Sequence, residues 1–126
     1  MKIYYFIILF LCALLGCQFQ KPDYLTMLSP AELNQIMQNE DILLVDVHVP
    51  QQRHIKGTDL FIPFNNITND QNKKFPEDKN TPIYLYCEGG PMGNAAAKTL
   101  HELGYQHLYN LEGGTIAWKN AGYEFE

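Results

Sequence analysis

Cys87 stands where a short apolar run, Ile83-Tyr84-Leu85-Tyr86, gives way to Glu88-Gly89-Gly90-Pro91-Met92-Gly93. A strand that ends in a cysteine and turns through glycines into a helix brings several backbone N–H groups to one point above the sulfur. That concavity and the helix N-terminus both favour negative charge. The turn therefore favours the thiolate, the form in which cysteine acts as a nucleophile. It also suits an anion bonded to that sulfur, such as a persulfide. Gly89 and Gly90 permit positive φ and close backbone approach. Taken from this string alone, Cys87 is equally a small residue closing a core strand beside an ordinary glycine turn.

The remaining polar residues narrow the chemistry. His48, His54, His101 and His107 have no ligand-like spacing with the cysteines, so neither a metal site nor any other cofactor is expected. Asp46 ends an apolar run, where it is expected to orient nearby backbone or His48 rather than transfer protons. His54 reads as a structural residue near a turn. The net charge is -5, and Lys73-Lys74 is the only basic pair of note, so a phosphate-tracking nucleic-acid surface is excluded. Arg53 is the only arginine.

Cysteine usage and the N-terminus argue together. The opening MKIYYFIILFLCALLGC has one basic residue, Lys2, and then an apolar run from Ile3 to Leu15. That run is shorter than the roughly 20 residues of a comfortable membrane span. It has the layout of a secretory signal, and Leu14-Leu15-Gly16-Cys17 resembles the bacterial lipoprotein box. The division expected is a signal peptide over 1–16, a lipid-anchored tether over 17–25 and a domain over 26–126. Cys17 would carry the lipid, and the domain would be exported and held on a membrane, facing the periplasm or cell exterior. Cys12 would leave with the signal, so Cys87 has no partner for an intramolecular disulfide. An uncleaved apolar anchor is the alternative. Cys17→Ser is expected to abolish lipid labelling and to release or misprocess the protein. A variant that still fractionates with membranes as before would favour the uncleaved anchor.

The elements that must position Cys87 are legible as alternating runs. Ser29-Pro30-Ala31-Glu32 has the pattern of a capping box with proline at the first helical position, predicting a helix over 30–39. Residues 42–47 (ILLVDV) suit a strand buried on both faces, as in a parallel sheet. Phe61-Ile62-Pro63 is a short strand candidate, and 65–81 is a polar, turn-rich loop with at most a short helix. The runs 83–86 and 107–111 predict two more strands. Helices are expected near 93–103 and 115–121, the former stopped by Gly104. Strands alternating with helices predict an α/β fold with a mostly parallel sheet, the strands at 43–47, 83–86 and 107–111 being neighbours.

The ordered set of motifs resembles the rhodanese homology family over roughly residues 26–124. Leu43 to Val47 followed by His54-Ile55-Lys56-Gly57-Thr58 looks like its first pair of motifs. Pro63, Tyr84-Leu85-Tyr86-Cys87, Leu103-Gly104-Tyr105 and Leu111-Glu112-Gly113-Gly114 with Trp118 follow in order. The resemblance implies a three-layer α/β fold with a central, mostly parallel sheet flanked by helices. It also implies sulfur transfer through a Cys87 persulfide. Glu88, Gly89, Gly90, Pro91, Met92 and Gly93 would form the substrate-binding loop. The partners would be a small sulfur donor or a protein persulfide, and a thiol acceptor. The six residues from Cys87 to Met92 match the loop length of sulfurtransferases. Related arsenate reductases and dual-specificity phosphatases carry one more, which disfavours a thiol-based reductase or phosphatase. Two positions depart from the pattern: Met92 and His48 both stand where arginine is common. Met92 cannot offer the paired hydrogen bonds that an arginine gives a dianion, and Glu88 adds negative charge. Thiosulfate is therefore a less apt donor than a protein-bound or neutral persulfide. A binding module that keeps the fold without catalysis is the rival reading.

Overall fold

The computed structural model describes residues 22–68 and 71–126. Cys17 and the apolar run before it lie outside them. Five strands form one sheet: β1 (Leu25–Leu28), β2 (Leu43–Asp46), β3 (Leu60–Phe61), β4 (Ile83–Tyr86) and β5 (Leu108–Leu111). Their order is β1-β5-β4-β2-β3, and every pairing is parallel. The three helices are α1 (Pro30–Asn39), α2 (Pro91–Glu102) and α3 (Gly114–Asn120). Short 3-10 turns at Phe64–Asn66 and Gln71–Lys74 occupy the segment read as a polar loop.

The period of two along each strand divides the core into two layers. Val45, Ile83, Leu85 and Leu108 point to one face and pack with Ala96, Ala97 and Leu100 of α2. Leu44, Tyr84, Tyr86 and Leu111 point to the other and pack with Leu33 of α1 and Trp118 of α3. Because both faces are covered, β4 is buried at all four positions, as its unbroken apolar run requires. The result is the expected three-layer α/β arrangement, with a wholly parallel sheet.

Capping chemistry sets where the helices begin. Ser29 Oγ accepts the Glu32 N–H at 3.2 Å, and Pro30 opens α1. Helix α2 starts at Pro91, two residues before the sequence expectation, because proline's fixed φ suits the first helical position. Gly90 caps it at φ 118°, a conformation that favours glycine. Pro91, Met92 and Gly93 are thus the first turn of a helix rather than free loop. At the other end, residues 22–25 of the segment read as tether belong to the fold. Leu25 pairs with Leu108, and the Tyr24 ring stacks on His101 with centroids 3.9 Å apart.

Candidate active site

Strand β4 is central, between β5 and β2, so the ends of all three strands converge on one edge of the sheet. Asp46 to His48 leave β2 there, Cys87 leaves β4, and Gly113 follows β5. The carboxyl ends of parallel strands are where open α/β sheets bind ligands.

Cys87 is buried, at 1% exposure. The Gly90 N–H donates to its Sγ at 2.9 Å, a bond that strengthens when the sulfur is an anion. A second contact holds the loop from behind: Asn110, fully buried on β5, donates from Nδ2 to the Gly90 carbonyl at 3.0 Å and to Asn94 Oδ1 at 2.9 Å. Its Oδ1 has no hydrogen-bond partner and faces Gly93, where any Cβ would strike the carboxamide. Helix α3 closes the loop from above. Thr115 N–H donates to the Cys87 carbonyl at 2.9 Å and Ile116 N–H to that of Glu88 at 3.1 Å.

A buried carboxylate organises the other wall. Asp46 is wholly buried, and it accepts the His48 N–H at 3.0 Å, the Gln52 side-chain amide at 3.2 and 3.3 Å, and His54 Nδ1–H at 2.9 Å. Gln52 in turn accepts from the Thr115 hydroxyl at 3.0 Å, which joins this network to α3. Beneath it, the Tyr86 hydroxyl accepts the Ile55 N–H at 3.1 Å and donates to Thr58 Oγ1 at 2.7 Å, since Thr58 itself donates to the Ile55 carbonyl. Burial pushes the Tyr86 hydroxyl well above the usual tyrosine range, so it stays a neutral brace. Val49-Pro50, in the connection that carries His48, is a cis peptide.

The pocket over the sulfur has a volume of about 260 Å³ and is lined by His48, Cys87, Glu88, Gly89, Pro91, Met92 and Ile116. His48 and five of the seven residues read as the active loop thus come together; Gly90 and Gly93 serve from beneath. Met92 is half-buried, its side chain packed on the α2 core layer. Glu88 does not point a bare charge at the sulfur: its Oε2 lies 3.0 Å from His48 Nε2. Arg53 is committed elsewhere, donating from Nε to the Glu126 carbonyl at 2.8 Å with its guanidinium 5.5 Å from the Phe125 ring centroid. It borders a neighbouring cavity of about 710 Å³ that shares Glu88 and Ile116 with the Cys87 pocket. Ile116 is 54% exposed, the only exposed large apolar side chain among the described residues.

Three members of the site escaped the sequence reading. Asn110 did carry a signal, being a polar residue in the middle of an apolar strand. Gln52 and Thr115 carried none, because each acts through a partner distant in sequence.

The comparisons agree with this geometry. The Rhodanese-like domain family matches residues 29–121. An uncharacterized protein of Synechocystis is 31% identical over 99 residues, covering 75% of this chain; the match spans only 52% of that relative, about half its length. The thiosulfate sulfurtransferase GlpE of Pseudoalteromonas translucida is 29% identical over 97 residues, covering 75% of this chain and 89% of its own. The crystal structure of a rhodanese-like domain protein from Staphylococcus aureus superposes with a TM-score of 0.66 at 27% identity, covering 80% of this chain and 98% of that one. With a parallel sheet in this order, a cysteine at the end of its central strand and a family match across nearly all the described residues, the chain belongs to the rhodanese-like domain family.

Proposed function

We propose that this domain carries sulfane sulfur as a persulfide on Cys87 and passes it to a thiol. The observation that carries the reading is the Gly90 N–H on Cys87 Sγ at 2.9 Å, at the start of helix α2 and at the floor of a pocket. The helix N-terminus and this donor favour an anion on the sulfur. Cys87 itself is buried. Likeness to a named thiosulfate sulfurtransferase supports the same chemistry, whereas the apolar Met92 at the pocket wall argues for a persulfide as donor in place of thiosulfate. We place the domain outside the cytoplasm, held at a membrane by lipid on Cys17.

The test is mass spectrometry of the purified domain after exposure to thiosulfate, an alkyl persulfide and a persulfidated protein. The expected result is a gain of one sulfur atom, absent from Cys87→Ala, with thiosulfate the slowest donor. Met92→Arg is expected to speed loading from thiosulfate several-fold. Even half of one charge-assisted bond, about 1 kcal/mol, changes a rate by that much when it acts in the transition state. Fast wild-type loading from thiosulfate, unmoved by Met92→Arg, would show that the missing arginine is irrelevant. No added sulfur from any donor would leave the non-catalytic binding module as the reading.

A further inference from the structure

We propose that His48 and Glu88 hold a proton that is delivered to the thiolate leaving the sulfur donor, which makes His48 the acid of a transfer suited to organic persulfides. The proposal rests on the persulfide reading above. His48 Nδ1 lies 2.7 Å from the Pro50 carbonyl oxygen. A carbonyl only accepts, so Nδ1 carries a hydrogen. Nε2 lies 3.0 Å from Glu88 Oε2, and a carboxylate also only accepts. Neutral imidazole has one N–H, already used at Nδ1. A bare Nε2 against a carboxylate oxygen would oppose two lone pairs, so a second proton lies between them. The Glu88 side chain is 56% exposed and keeps its charge hydrated, while that of His48 is 11% exposed. The pair is therefore imidazolium and carboxylate.

The neighbours of the ring are consistent with this assignment. Asp46 takes the backbone N–H of His48 and has its oxygens occupied by Gln52 and His54. From α3 the ring's pocket receives Ile116, which is apolar, and from α2 it receives Pro91 and Met92. Cys87 is the other ionisable group in that pocket. His54 makes a useful contrast: Nδ1 donates to Asp46, and Nε2, 3.2 Å from the Gln51 amide nitrogen, accepts. Its hydrogen count is that of a neutral ring.

The step balances without any outside reagent. The Cys87 thiolate attacks the terminal sulfur of R–S–S⁻; the donor's S–S bond breaks as a new one forms to Cys87 Sγ. The leaving R–S⁻ takes the electron pair of the broken bond and the proton of the pair, departing as R–SH. Cys87–S–S⁻ remains, beside neutral His48 and ionised Glu88. An acceptor thiol, giving its proton back to His48, then attacks the terminal sulfur and restores the starting state. An alkanethiolate is a basic leaving group, with a conjugate-acid pKa of about 8.5 for a cysteine-like thiol, and gains from that proton. Sulfite, which leaves from thiosulfate, departs as a stable anion and gains little. The pair thus offers a persulfide donor an assistance that thiosulfate does not need.

The experiment compares Cys87 loading from an alkyl persulfide with loading from thiosulfate, in wild type, His48→Gln and Glu88→Gln. A positioned acid contributes on the order of 100-fold or more, so the persulfide-to-thiosulfate rate ratio is expected to fall at least about 30-fold in both variants. Ionisation of Cys87 is common to the two donors and cancels in the ratio. Glu88 is on the surface, so its variant reports even if His48→Gln weakens folding. Nitrogen-15 NMR of the imidazole is read separately from sulfur chemistry. It should show both ring nitrogens of His48 protonated in wild type and only one in Glu88→Gln. A ratio unchanged within threefold in Glu88→Gln while Cys87 still loads, or a singly protonated His48 in wild type, would overturn the proposal. Wild-type protein that loads from no donor yet holds a doubly protonated His48 would overturn the persulfide reading instead.

Discussion

Asp46→Ala is expected to cost about 3 kcal/mol of stability, mostly through donors left without an acceptor. The carboxylate is wholly buried, and three donors converge on it. The His48 N–H is buried with it and has nowhere else to turn; Gln52 and His54 are half-buried and recover part of their bonding from water. Urea unfolding is the measurement. With a slope near 2 kcal/mol per molar, the midpoint should fall by about 1.5 M. Asp46→Asn keeps one acceptor oxygen but turns an NH₂ toward donors, so an intermediate loss is expected. A midpoint for Asp46→Ala within about 0.3 M of wild type would show that the donors re-pair without the carboxylate.

Gly114→Ala is expected to damage the site through backbone alone. Gly114 opens α3 at φ 57°, and a Cβ there would run into the carbonyls of Cys87 and Glu88. Those two carbonyls accept the N–H groups of Thr115 and Ile116, so the loop and the helix cannot separate without losing both bonds. The left-handed conformation and the overlap together should cost about 3 kcal/mol. Persulfide loading at Cys87 should fall at least about tenfold, because a loop displaced by even 1 Å misplaces the sulfur. Gly122→Ala is the control. Its φ is 82°, but nothing lies within 4 Å of the added carbon, so it should lose about 1 kcal/mol and load normally. Equal losses in the two variants would assign the effect to backbone conformation instead of the loop contact.

What the sequence revealed followed how locally each feature is encoded. Strands β2, β4 and β5 were readable because burial on both faces demands mostly apolar runs, and Gly104 stops α2 by a local rule. Strand β1 was not readable. It is an edge strand of four residues, Leu25–Leu28, with exposed Thr26 in it, and only its pairing with β5 makes it a strand. Cys87 and its glycines were visible because strand, turn and helix follow one another directly. The Asp46 network was not, since its members meet only after β2 and α3 are brought to the same edge. The charge of Glu88 was read as acting on the sulfur because its partner His48 is distant along the chain.

The pairing of Leu25 with Leu108 joins the first strand of the described domain to the last. It also bears on folding. The sheet's centre, β4 between β2 and β5, brings together segments tens of residues apart, and β1 is paired with β5 alone. Parallel, non-local pairing of this kind places folding toward the slow end for a domain of this size, in about the millisecond-to-second range. Until Leu108–Leu111 has been made and seated, the β5 side of β4 is an open edge and β1 has no strand to dock on. A nascent chain lacking the last strand therefore holds the cysteine and its glycine turn, but neither Asn110 to anchor that turn nor a completed sheet beneath it.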